Sequence, residues 1–119
     1  MKIKLLKSKI HRATVTEANL DYIGSISIDE ALMKASNLLE YEQVHVLNVT
    51  NGNRLITYVI PAPKNSGEIC INGAAAHLAS KGDIVIIVAY GNTNIQEAKT
   101  CIPHIIHVNQ HNQIIEWKV

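Results

Sequence analysis

Alternation of polar and apolar residues dominates the first part of this chain of 119 residues. Residues 2–5 and 12–16 both alternate with a period of two, which is typical of strands with one buried face. We therefore predict that residues 2–16 are extended. Lys9 and His11 lie two positions apart, so both side chains would face the same side of such a strand. They are either solvent-facing polar residues or a cationic wall of a pocket.

The segment that begins at Ser27 has the hydrophobic spacing of a helix. Ser27 and Glu30 have the spacing of a capping box, with Ser27 as the N-cap. Apolar residues then recur at helical spacing, at Ile28, Leu32, Ala35 and Leu39. This spacing predicts a short amphipathic helix that ends near residue 39.

A hairpin is predicted in the middle of the chain. Residues 44–49 form its first strand, and the Asn-Gly pair within residues 50–53 is a strong signal for a tight turn. Residues 54–60 form the return strand, which Pro61 and Pro63 would stop.

On this return strand, Arg54 and Tyr58 fall on one face and Thr57 falls on the other. Simple alternation therefore does not bring Thr57 and Tyr58 to one site, although a bulge or the curvature of a small barrel could.

Another short strand, residues 69–71, leads into an Asn72-Gly73 turn. The alanines at 74–76 can open a short helix that runs through Ser80 and ends near Gly82. Such small side chains leave backbone N–H groups uncovered at the start of the helix, where a carboxylate binds well. Close backbone packing is the alternative explanation for this run.

The last third of the chain is predicted to be extended again. Residues 84–90 are continuously apolar, which indicates a strand buried on both faces, and residues 91–92 turn it. Residues 104–109 and 113–118 would form a final hairpin around residues 111–112. Short strands, Gly/Asn turns and two small helices favour a mainly β fold, a compact small β-barrel rather than a sandwich of long strands.

Composition adds limits to this fold. Apolar residues make up 47% of the chain, Phe is absent and there is one Trp, so the core must be built from Ile, Val, Leu and Ala. The length predicts one domain, residues 1–119. The net charge of +1 argues against a protein that binds nucleic acid through bulk charge.

Several observations predict a cytoplasmic protein without a membrane anchor. Cys70 and Cys101 do not suggest a disulfide framework, and the N-terminus lacks the apolar segment of a secretory signal. The longest apolar run, residues 84–90, is too short to cross a membrane. Three histidines near the C-terminus, at 104, 107 and 111, do not form a complete ligand set, so no metal is expected.

The Gly24–Ser25 bond is the candidate for unusual chemistry. If the fold bends this bond correctly, the Ser25 hydroxyl can attack the Gly24 carbonyl carbon and turn the amide into an ester. Removal of the Ser25 Cα proton then expels the ester, and hydrolysis of the resulting dehydroalanine leaves a pyruvoyl group. Such a group can form a Schiff base with a substrate amine and act as an electron sink. Gly-Ser is also a common loop dipeptide.

Several segments together resemble the pyruvoyl-dependent aspartate 1-decarboxylase family, whose members make β-alanine for pantothenate synthesis. The matching segments occur in the family's order at residues 9–12, 15–16, 22–25, 28–29, 48–54, 57–58, 72–77 and 82–87. The resemblance implies a double-psi β-barrel, usually a homotetramer with sites between subunits. It also implies self-cleavage into residues 1–24 and 25–119, and some members need a maturation helper protein.

The resemblance further implies roles for particular residues. Ser25 would become the pyruvoyl cofactor, with neither pyridoxal phosphate nor a metal required. Thr57 would hydrogen-bond near the Gly24 carbonyl and assist the rearrangement, and Tyr58 would donate the proton after decarboxylation. Lys9 and Arg54 would bind the carboxylates of L-aspartate.

The backbone at Gly73, Ala74 and Ala75 would complete the substrate site.

Two other functions remain open from the residues themselves. One is a small barrel without catalytic activity that binds an anionic ligand or a protein partner, since a basic patch lies near the N-terminus. The other is a related pyruvoyl enzyme that acts on a different amino acid.

Overall fold

The alternating N-terminal segment forms one long strand in the computed structural model, which describes residues 1–116. The strands are β1 (Lys2–Thr14), β2 (Glu17–Asn19), β3 (Ser25–Asp29), β4 (Gln43–Asn48), β5 (Arg54–Ala62), β6 (Ile69–Asn72), β7 (Ile84–Asn94), β8 (His104–Val108) and β9 (Ile114–Ile115). The helices are α1 (Glu30–Ser36), a 3₁₀ helix (Gly73–His77) and α2 (Ile95–Ala98). The mainly β class predicted from the sequence is confirmed.

These strands form a single mixed sheet in the order β2-β6-β3-β5-β4-β7-β1-β8-β9. The pairs β1–β8, β2–β6 and β3–β5 are parallel, and the other neighbours are antiparallel. Within residues 1–116 the ladder ends at β2 and β9, so the small barrel-like sheet is not closed into a ring. Every residue of β3 is buried, because this short strand lies between β5 and β6.

The core is built mainly from β-branched residues, as expected for a chain without Phe. Its largest fully buried side chains are Ile10, Ile26, Ile28, Leu32, Ile69, Ile71, Ile87, Val15, Val44, Val46, Val59 and Val85. Branched side chains pack well on a pleated sheet. The apolar alternation of the strands therefore fixes which face of each strand points inward.

The start of the predicted helix is different in the structure. Ser27 lies within β3, and Asp29 is the N-cap of α1, where its carboxylate accepts a hydrogen bond from the Ala31 N–H at 2.8 Å. The helix ends at Ser36 rather than near residue 39, because Asn37 adopts a left-handed conformation with φ of 59°. The capping box assigned to Ser27 is therefore wrong.

Three strand or helix ends also differ from the predictions. β5 continues through Pro61, since this residue pairs with Ile28 on the parallel strand β3. β7 runs on through residues 91–92, because β1 is long enough to pair with it as far as Asn94. The helix after Gly73 is a single 3₁₀ turn that ends at His77. Residues 117 and 118 of the predicted last strand lie outside the described residues.

None of the helices in the described part of the chain has the length and apolar character that a membrane-spanning helix needs.

Candidate functional site

The Gly24–Ser25 bond lies where the chain enters the sheet. Ser25 is the first residue of β3 and is 1% exposed, whereas Gly24 is exposed. The Ser25 hydroxyl donates a hydrogen bond to the Ile23 carbonyl oxygen at 3.2 Å, so it folds back toward the segment before the bond. The strand thus holds one side of this bond firmly and leaves the other side open to solvent.

Asn72 holds the Ser25 hydroxyl from the neighbouring strand. Its side-chain Nδ2 donates to Ser25 Oγ at 3.1 Å and to Ser27 Oγ at 3.0 Å. Its Oδ1 accepts a hydrogen bond from Cys70 Sγ at 3.1 Å. The ladder between β3 and β6 places Asn72 opposite Ser25 and Cys70 opposite Ser27, so all these side chains share one face.

The sequence patterns predict no chemical role for Asn72, Ser27 or Cys70. Asn72 was interpreted as a turn residue and Ser27 as a helix cap. The available signal was their spacing, because residues two apart on each of two strands can meet across one face. That signal could be used only once β3 and β6 were known to be neighbours.

Gly73 packs directly against Gly24. A Cβ at Gly73 would lie 2.6 Å from Gly24 Cα and 3.0 Å from the Tyr22 carbonyl oxygen, and its φ is 69°. Both facts require glycine here. Gly24 itself is not crowded, since a Cβ built on it would meet no heavy atom within 4 Å.

The 3₁₀ helix after Gly73 has small, partly accessible side chains. Ala74 is exposed and Ala75 is half-buried against the core. Asn72 makes no side-chain hydrogen bond to this helix, because its amide is directed to the serines of β3. Of the predicted cradle residues, Gly73 therefore lies next to Gly24, and Ala74 and Ala75 follow it in the 3₁₀ helix.

Thr57 and Tyr58 lie on β5, which runs parallel to β3. Ile26 on β3 pairs with Val59 on β5. Because the two strands run in the same direction, Thr57 and Tyr58 lie before Val59 at the same end at which Gly24 and Ser25 lie before Ile26. Both side chains are half-buried. The parallel register thus brings this pair to the same end of the sheet as the Gly24–Ser25 bond.

Tyr58 has a second tyrosine beside it. The ring centroids of Tyr41 and Tyr58 are 6.3 Å apart, with their planes tilted by 50°. Tyr41 is 71% exposed, whereas Tyr58 is half-buried. The two phenols are therefore close but differ in their contact with solvent.

Lys9 and Arg54 are not joined to this group within one chain. Arg54 is exposed at the start of β5, and Lys9 lies on β1 between its partners Val88 and Ile105. Three strands, β5, β4 and β7, separate β1 from β3. Among residues 1–116, no hydrogen bond or ion pair links either cation to Ser25.

Lys9 instead belongs to a concentration of basic groups. The rings of His11 and His107 meet edge to face with centroids 5.1 Å apart. Burial lowers the pKa of His11 below its ordinary value of 6.5, and the positive charges of Lys9, His107 and Arg12 act in the same direction. At neutral pH His11 is therefore a neutral imidazole among cations.

The pKa of the Cys70 thiol is shifted upward, in the opposite direction to that of His11. Burial raises the pKa of Cys70, and the carboxylates of Glu17 and Glu68 raise it further. The thiol therefore stays protonated near neutral pH and keeps its S–H donor. In the described part of the chain, no group of three or more His, Cys, Asp or Glu residues is arranged to hold a metal ion.

Known proteins resemble this chain over nearly its whole length. The family model described as aspartate decarboxylase matches residues 1–115. The aspartate 1-decarboxylase of Acetivibrio thermocellus is 56% identical over 99% of this chain and 94% of its own. That of Campylobacter fetus is 57% identical over 98% of this chain and 100% of its own. That of Campylobacter jejuni is 60% identical over 94% of this chain and 88% of its own.

Proposed function

This chain belongs to the aspartate decarboxylase family, and we propose that it makes its own catalytic group by cutting itself between Gly24 and Ser25. The chain decarboxylates aspartate, a lyase reaction that yields β-alanine for pantothenate biosynthesis. Self-cleavage would form the catalytic group, and particular residues of the chain would then bind aspartate and transfer protons.

The observation that carries the proposal is the position of the Ser25 hydroxyl. It is buried at the head of β3, donates to Ile23 and accepts from Asn72, while Gly24 stays exposed beside it. A buried hydroxyl without a partner would cost free energy, and here both partners fix its direction. An ordinary loop serine would need no such arrangement.

The cleavage can be written as two balanced steps, and a hydrolysis follows them. In the first, Ser25 Oγ bonds to the Gly24 carbonyl carbon, the Gly24–Ser25 C–N bond breaks, and the hydroxyl proton ends on the Ser25 nitrogen. In the second, a base removes the Ser25 Cα proton, and the Cβ–Oγ bond breaks to release Gly24 as a carboxylate. Water then hydrolyses the resulting dehydroalanine, and its nitrogen leaves as ammonia. Residue 25 is left as a pyruvoyl group.

The residues around Ser25 fit such a group. Asn72 and the backbone at Gly73 lie at the head of β3, where the group would remain after cleavage. The pyruvoyl group supplies an electrophilic carbonyl that withdraws electrons as CO₂ leaves, which no ordinary side chain can do. No metal or pyridoxal phosphate is needed for this chemistry.

The chain's other residues bind, orient and supply protons. We assign Thr57 to the Gly24 carbonyl during the rearrangement, because β5 lies alongside β3 in parallel register. Tyr58 holds a proton on its phenol oxygen for the former α-carbon of aspartate. Lys9 and Arg54 bind the substrate carboxylates, with bidentate geometry available to Arg54. The backbone at Gly73, Ala74 and Ala75 completes the cradle.

The separation of Lys9 from Ser25 supports a further part of the proposal. Three strands lie between them along the ladder of one chain, and we propose that a second copy supplies the Lys9 that completes each site. We therefore propose a homo-oligomer, a tetramer, with a maturation helper protein as a further partner where cleavage is slow. We place the enzyme in the cytoplasm, where the free thiols Cys70 and Cys101 would stay reduced.

A denaturing intact mass of the purified protein tests the self-cleavage. We expect two fragments, residues 1–24 and 25–119, the larger lighter by one ammonia than a chain that starts with serine. The Ser25→Ala variant should stay whole and inactive, since it has no oxygen to attack. Ser80→Ala, at an exposed serine that is not among the proposed site residues, should cut normally.

Two outcomes would overturn the proposal. One is a wild-type chain that keeps its full-length mass after warm incubation with cell extract, and the other is a Ser25→Ala variant that cuts and turns over aspartate. An uncut chain without CO₂ release would instead favour a binding protein.

A further inference from the structure

Asn72 touches the reacting serine, and its own orientation is set by a third residue. The amide has two donors on Nδ2 and an acceptor at Oδ1. Both donors are directed to serine oxygens, at 3.1 Å for Ser25 and 3.0 Å for Ser27, and the acceptor receives the Cys70 thiol at 3.1 Å. Asn72 is 2% exposed, so water has little access to it.

The serines alone do not choose this orientation. An amide side chain can turn by half a rotation and exchange its oxygen and nitrogen with little change in shape. A serine hydroxyl can donate as well as accept, so Ser27 could donate to Oδ1 of a turned Asn72. Ser25 donates its single proton to the Ile23 carbonyl, but Ile23 is 77% exposed, so water can bind that carbonyl in its place and free the proton for Oδ1. In that arrangement the NH₂ group would face Cys70.

Cys70 discriminates between the two arrangements. A thiol is a donor and only a weak acceptor, so it pairs with Oδ1 and leaves an NH₂ group poorly satisfied. Burial, together with the acidic neighbours Glu17 and Glu68, raises the pKa of this thiol and keeps it protonated. The donor that selects the amide orientation is therefore present at neutral pH.

The selected orientation suits the cleavage chemistry. Ser25 Oγ loses its proton when it attacks, and it takes up negative charge again when the Cβ–Oγ bond breaks. An N–H donor aimed at Oγ stabilises both changes, whereas an amide oxygen in its place would repel them. The difference is largest in a buried site, where electrostatic interactions are weakly screened.

We propose that Cys70 is a positioning residue for self-cleavage, which turns the Asn72 amide so that its N–H groups face Ser25 and Ser27. This inference rests on the proposed cleavage at Gly24–Ser25. Cys70 acts through Asn72 and takes no covalent part in the reaction.

The test follows cleavage by intact mass over time in freshly purified precursors. Cys70→Val and Cys70→Ala remove the donor, and Cys70→Ser restores one as a hydroxyl. We expect cleavage to slow by about tenfold in the first two variants, the effect of a lost hydrogen bond in a buried network. Cys70→Ser should cleave near the wild-type rate, and Cys101→Val, at an exposed cysteine, should be unaffected.

The comparison of variants separates positioning from packing. If Cys70→Ser is as slow as Cys70→Val, volume rather than donation matters and the proposal is wrong. Cleavage at the wild-type rate in the folded Cys70→Ala variant would also overturn it, and Cys70→Ala serves where Cys70→Val does not fold. A wild-type chain that never cuts would overturn the proposed self-cleavage itself, and this inference with it.

Discussion

Buried polar side chains lie where the surrounding strands are otherwise apolar. Ser25, Ser27 and Asn72 are each less than a tenth exposed, and their neighbours along the strands are isoleucines. Each buried hydroxyl or amide is costly without a hydrogen bond. The three residues satisfy one another, so the cost is offset and the Ser25 hydroxyl keeps one direction.

Tyr58 offers a prediction at a single residue. The Tyr58→Phe variant should still cut at Gly24–Ser25, because only the later protonation needs the phenol. Its turnover of aspartate should fall by about 100-fold or more, the range for loss of a general acid. Intact mass measures the first effect and a CO₂-release assay the second.

Tyr41→Phe is the matched control, since Tyr41 lies beside Tyr58 but is mostly exposed. We expect near wild-type turnover in this variant. Wild-type turnover in Tyr58→Phe, with a cleaved chain, would remove Tyr58 from the role of acid.

Sequence patterns predict the ends of helices and strands less well than their interiors. The spacing of Ser27 and Glu30 predicted a helix start, but Asp29 caps α1 and also accepts N–H groups of Asn65 and Gly67, both at 2.9 Å. Those partners lie more than thirty positions along the chain. A local pattern contains no information about them, whereas sequence patterns predicted β1, β4 and β5 closely and missed the short strands β2 and β3.

Asn112 connects distant elements by a similar long-range contact. It is 2% exposed, and its Oδ1 accepts the Thr14 N–H at 2.7 Å. Its Nδ2 donates to the carbonyl oxygens of Thr14 and Gly67, both at 2.8 Å. The side chain thus holds the end of β1, the loop before β6 and the turn between β8 and β9 together.

The Asn112→Ala variant should therefore be destabilised. Three partly buried backbone groups lose their partners, and alanine is strained at the φ of 58° found here. We expect a loss of about 3 kcal/mol in the free energy of unfolding. Urea unfolding at matched protein concentration measures it.

Gln110→Ala is the control, because Gln110 is exposed in the same turn. Its change should stay within about 0.5 kcal/mol. Equal losses in the two variants would show that the turn, and not the Asn112 contacts, sets the stability.

At the scale of the whole molecule, strand order decides which predicted residues meet. Residues close in sequence, such as Thr57 and Tyr58 or Asn72 and Gly73, reach the head of β3 because β5 and β6 flank that strand. Lys9 lies on β1, and three strands separate β1 from β3. Sequence patterns predicted most of the strands but not β2 or β3. The order of the strands depends on contacts between distant segments, which a single sequence does not show.

This separation gives a prediction about the assembled protein. If each site joins Lys9 of one chain to Ser25 and Tyr58 of another, two inactive variants can complement each other. Lys9→Ala and Tyr58→Phe should each show little turnover alone. Co-expressed with different tags and purified through both, they should regain measurable CO₂ release, because some sites combine an intact Lys9 with an intact Tyr58.

The control for Lys9 is Lys4→Ala, an exposed lysine on the same strand. It should keep wild-type turnover alone, so that loss in Lys9→Ala reports on the site rather than on β1. Doubly tagged oligomers with no more turnover than the two variants measured apart would show that Lys9 serves the Ser25 of its own chain. In that case β1 and β3 would have to approach each other within one chain, which the strand order gives no reason to expect.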